Sequence, residues 1–97
     1  MSVDLAVCRE KIDAIDRQLL QLINERQRIT LDVVRAKREA GLPVLDSGRE
    51  DALLQKLWSV NPGPLSEDGI RRIWLAIMGE SRIYQALAAD STKDEKR

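Results

Sequence analysis

The side chains here that invite chemistry are cations and amides. The sequence has no histidine and one cysteine, Cys8. A zinc or haem site is therefore not expected, and no cofactor is implied. Arg26 interrupts an apolar heptad at an a position, where a solvated arginine does not belong, so it is expected to be buried against something anionic. A register-setting arginine paired to a carboxylate across a helical dimer accounts for the same position, and the pattern leaves both open. Lys37 follows eleven residues on, which in a helix is about 20° around and about 16 Å along. Two cations on nearly one line leave room for a small dianion between their ends. Arg9 sits about 25 Å from Arg26 along the axis and roughly 100° around, so the two cannot meet one small ligand within a chain. In an antiparallel pair of helices, Arg9 of one copy can approach Arg26 of the other. Ser81 and Gln85 form an i, i+4 polar pair, and Asp46, Arg49 and Glu50 cluster further up the chain. Taken singly, each has a plainer explanation: solvated charge for Arg9 and Lys37, a helix–helix hydrogen bond for Ser81 and Gln85, and a helix cap with a local ion pair for the acidic cluster.

These residues need long helices to position them. Leu5, Cys8, Ile12, Ile15, Leu19, Leu22, Arg26, Ile29, Val33, Ala36 and Ala40 alternate steps of three and four, an unbroken a/d seam. Asp4 or Ser2 can cap its start; Gly41 suits a left-handed end, and Pro43 forbids continuation. Such a helix would be roughly 55 Å long, nearly twice the roughly 30 Å diameter of a compact chain of this size. The rest of the chain cannot cover it, and a second copy can. A second helix is expected from Asp46 or Ser47, where Ser47-Gly48-Arg49-Glu50 fits a capping box, to the stop at Asn61-Pro62-Gly63-Pro64. Gly48 in its first turn is expected to loosen that start. A third is expected from Ser66 to about Ala89, with Ile70, Ile73, Trp74, Ile77 and Tyr84 inward. The polar segment 90–97 is expected to be a disordered tail or a linker, leaving residues 1–89 as the domain. With no strand pattern, the expected class is all-α with three helices.

Sixteen basic and sixteen acidic residues give a net charge of zero. General attraction to nucleic acid or an anionic membrane is not expected, and an anion site must be built locally. No apolar run is long enough to span a bilayer, and the start does not read as a signal peptide. The lone cysteine accords with a reducing cytoplasm.

Taken together, these residues resemble the all-helical class of chorismate mutase. The matching text is Arg9-Glu10-Lys11-Ile12-Asp13-Ala14-Ile15-Asp16, then Glu25-Arg26, Ala36-Lys37, Pro43-Val44, Asp46, Arg49-Glu50, Glu80-Ser81 and Gln85. The resemblance implies an intertwined homodimer of three-helix chains with two equivalent sites. It implies that Arg26, with Arg9 from the partner chain, binds the two carboxylates of chorismate. Lys37 and Gln85 would hydrogen-bond the ether oxygen of the breaking bond, and Glu50 with Asp46 would hold the ring hydroxyl. Arg49 and Ser81 would complete the pocket, Ser81 near the ring carboxylate. An isochorismate pyruvate lyase shares this fold and cationic site, although Asp46, Glu50 and Ser81 look like the mutase set. A non-catalytic helical dimer or regulatory module needs neither an arginine at a central a position nor Gln85 on another helix.

Overall fold

The computed structural model describes residues 3–43 and 47–95. Three helices follow one another: α1 (Leu5–Glu39), α2 (Ser47–Val60) and α3 (Glu67–Glu95), with no strand among the described residues. Each boundary has a local cause. Asp4 caps α1, its Oδ1 accepting the Ala6 N–H at 2.9 Å. At the other end Gly41 takes a left-handed φ of 70°; the Leu42 N–H donates to the Lys37 carbonyl at 2.8 Å and the Gly41 N–H to that of Arg38 at 3.2 Å. These two bonds satisfy carbonyls that a helix end otherwise leaves without partners.

Asn61 organises the α2–α3 connection. Its Oδ1 accepts the Gly63 N–H at 3.0 Å and its Nδ2 donates to the Leu65 carbonyl at 2.7 Å. Ser66 then caps α3, accepting the Gly69 N–H at 2.9 Å. The backbone of α3 stays helical through Glu95, past the Ala89 expected from its apolar stripe, since no Pro or Gly follows to stop it.

The core lies between α2 and α3. Leu54, Ile70 and Met78 are buried there, with Leu53, Leu57, Trp58 and Trp74 packed around them. The Trp58 indole N–H also donates to the Glu67 carbonyl at 3.3 Å, fastening α2 to the start of α3. Ile73, expected to face inward, is exposed, because the face of α3 turned to its neighbours runs through Ile70, Trp74, Met78 and Ser81 instead.

α3 packs against both other helices, whereas α1 and α2 do not pack on each other. On α1 the side chains drawn in by α3 are Gln27, Thr30, Leu31, Val34 and Lys37, a stripe beside the heptad seam and distinct from it. The seam stays bare: Ile12, Ile15, Leu19, Leu22 and Ile29 are each half or more exposed. Every residue from 9 to 25 is exposed. The chain accordingly measures 65 × 30 × 16 Å with a radius of gyration of 17.7 Å, against about 12.5 Å for a compact domain of this length. No helix among the described residues is long and apolar enough to cross a membrane.

Candidate active site

Where α3 crosses the second half of α1, opposite the first turn of α2, an open cleft of about 470 Å³ forms. That volume suits a small organic ligand. Four cations, Arg26, Lys37, Arg49 and Arg82, line it with two carboxylates, Glu25 and Glu50. A chain of zero net charge has thus gathered a local surplus of positive charge, which favours a polyanionic occupant.

The helix ends help to aim these groups. Lys37 lies in the last turn of α1, where the two bonds closing the helix hold its backbone and the helix dipole favours a cation. Glu50 lies in the first turn of α2, and its Oε1 accepts from Arg82 Nη1, joining the α2 and α3 walls of the cleft. Gln85 donates to the Thr30 carbonyl on α1 at 3.5 Å, a long contact.

Ser81 is the one buried polar side chain among the described residues. It accepts from Arg26 Nη1 at 2.7 Å and has two acceptors for its own proton: Gln27 Oε1 at 2.8 Å and the Ile77 carbonyl at 3.1 Å. The arginine that interrupts the heptad is therefore held by a hydroxyl of the same chain. Its guanidinium has five N–H donors, and this bond uses one.

The family model for chorismate mutase type II matches residues 8–86, most of the chain and every element that lines the cleft. The chain belongs to the chorismate mutase type II family. It is 35% identical over 79 residues to the bifunctional chorismate mutase/prephenate dehydratase of Pseudomonas aeruginosa, a match covering 76% of this chain and 22% of that protein. It is 40% identical over 53 residues to the chorismate mutase of Methanocaldococcus jannaschii, covering 55% of this chain and 54% of that one. The chain thus spans about a fifth of the length of the bifunctional relatives it matches. Among solved structures, form II of the chorismate mutase from Thermus thermophilus superposes with a TM-score of 0.80 at 32% identity, over 84% of this chain and 93% of that one.

Of the residues expected from sequence to act together, Arg26, Lys37, Arg49, Glu50, Ser81 and Gln85 line this one cleft. Arg9 does not: it stands on the exposed first half of α1. Asp46 lies outside the described residues. Arg82 and Gln27 escaped the sequence reading although both are tied to the site. Arg82 directly follows Ser81 and precedes Gln85 by three, so helical spacing already placed it at the margin of their face. Gln27 follows Arg26 and lies off the seam, and nothing local distinguishes it from a solvated glutamine.

Proposed function

We propose that this chain is a chorismate mutase, rearranging chorismate to prephenate as an intertwined homodimer in the cytoplasm, without a cofactor. The helical domain spans residues 1–89, and 90–97 is a polar tail beyond it into which the backbone of α3 continues as far as Glu95. The observation that carries the reading is the convergence of Arg26 and Lys37 from α1 with Gln85 from α3 on one cleft. Membership of the family supports it.

The reaction is a pericyclic rearrangement within one molecule, so it requires no nucleophile, metal or redox group. What accelerates it is restraint of the enolpyruvyl arm over the ring, a near-attack geometry. Arg26 and the partner's Arg9 take the two carboxylates, for which planar guanidinium forks are suited. As the C–O bond breaks, negative charge grows on the ether oxygen. Lys37 stabilises it more in the transition state than in the ground state, which is what raises kcat. Gln85 donates to the same oxygen through an amide N–H. Glu50 and Asp46 accept from the ring hydroxyl, while Arg49 and Ser81 complete the enclosure.

The second copy is supported by the bare seam and by the cleft itself. Leu22, Ile29 and Val33 belong to the seam and also line the cleft, which stands open. A helix laid along the seam would cover apolar surface and close the site together.

The test of the reaction is loss of chorismate followed by absorbance, with identification of the product. Prephenate is the expected product; pyruvate released from isochorismate, with no prephenate, would replace this reading by the lyase. Sharing of sites has its own test. Arg9→Ala chains and Arg26→Ala chains, each inactive, are mixed and allowed to exchange. Roughly a quarter of wild-type activity is expected, because half the dimers are mixed and each keeps one intact site. No recovery despite demonstrated exchange would remove the shared site.

A further inference from the structure

Ser81 has one proton to give, and its neighbours decide where it goes. The Ile77 carbonyl at 3.1 Å is the i−4 acceptor that a helical serine finds within its own helix. Gln27 Oε1, on α1, is nearer at 2.8 Å. The Gln27 amide is itself oriented, because its Nε2 donates to the Glu80 carbonyl at 3.4 Å and so turns the oxygen toward Ser81. The donors therefore run one way: Arg26 to Ser81, Ser81 to Gln27, Gln27 to the backbone of α3. Ser81 is 6% exposed, so water does not readily replace a lost partner there.

We infer that Gln27 is a positioning residue for the substrate-carboxylate anchor. By accepting the Ser81 proton it leaves the hydroxyl lone pairs facing Arg26, and so holds the guanidinium over the cleft before substrate arrives. Gln27 need not touch the substrate; it acts through Ser81 on Arg26. The inference rests on the reading of Arg26 as a carboxylate anchor. It explains why a glutamine off the apolar seam is drawn into the α1–α3 contact.

Gln27→Met keeps the length of the side chain and removes both hydrogen bonds. Its KM for chorismate should rise roughly five-fold, the size of one neutral hydrogen bond. Its kcat should stay within about two-fold, since a carboxylate anchor holds ground and transition states alike. In a Ser81→Ala background the same substitution should add nothing, because the relay is already broken. Without substrate, nitrogen-15 relaxation of the Arg26 guanidinium should show faster rotation in Gln27→Met than in the wild type. An unchanged KM, a fall in kcat alone, or full additivity with Ser81→Ala would overturn the inference. A lowered KM would do so too, since it would mean that Ser81 donates its proton to the substrate once Gln27 releases it. The relaxation measurement needs no turnover. Unchanged rotation defeats this inference alone, and an inactive wild type defeats the mutase reading.

Discussion

The two halves of α1 are written in one heptad and end in different surroundings. From 9 to 25 every residue faces solvent; beyond that, Arg26, Gln27, Thr30, Leu31, Val34 and Lys37 are drawn toward α3. Arg26 apart, the second half does not use the seam for this contact. It uses the adjacent stripe, and Ile29 and Val33 of the seam remain exposed beside it. One helix therefore carries one apolar-edged face covered within the chain and another left bare. The stripe holds α3, while the seam stays bare and, through Leu22, Ile29 and Val33, also lines the cleft. Arg26 occupies the boundary, on the seam by its register and bonded to Ser81 of α3 by its side chain.

Four substitutions would break or sharpen this division of labour. Lys37→Ala should lower kcat roughly a thousandfold, the scale of losing a donor to developing negative charge. Sedimentation should show the same dimer as the wild type; unfolding together with inactivity would withdraw the catalytic assignment. Leu19→Asp places a charge in the middle of the bare seam. If the proposed dimer shares Arg9 between its sites, this change should yield monomers by light scattering and abolish turnover at low protein concentration. A dimer that survives this change would mean that the seam is not the interface. Leu54→Ala, in the α2–α3 core, should destabilise the chain by about 3 kcal/mol in denaturant titration. Below the transition its kcat should stay within a few-fold, since Leu54 is not among the residues that line the cleft, although its neighbour Met78 is. Arg82→Met should cost the least, about tenfold in kcat/KM, by leaving Glu50 without its partner on α3. If Arg82 instead binds substrate directly, its loss will add in full to that of Glu50→Gln.

Most of the fold was legible because helix boundaries are local events. Asp4 caps α1 two residues from the N–H it accepts, Gly41 turns the chain where its missing Cβ permits, and Ser66 reaches three residues on to Gly69. Much of the site was legible too, but through a resemblance and through misplaced charge. Arg26 drew attention because an a position should be apolar. Arg82 and Gln27 drew none, because at surface positions a cation or an amide needs no explanation until its partner is known. Ile73 was misassigned for a related reason: a helical stripe has a width, and sequence does not say which edge of it the neighbouring helix takes.

What this sequence determined by itself was therefore the set of helices, the two ends of α1, the start of α3, and the existence of a seam that the chain leaves bare. These follow from side-chain periodicity and from backbone preferences that act within a few residues. The tertiary structure decided the pairings: Glu50 with Arg82 across 32 residues, Ser81 with Gln27 across 54, and Arg26 with Ser81 across 55. Such bonds depend on where α3 lies across α1 and against α2. That crossing is set by the packing of whole helix faces, a property no short stretch of sequence contains.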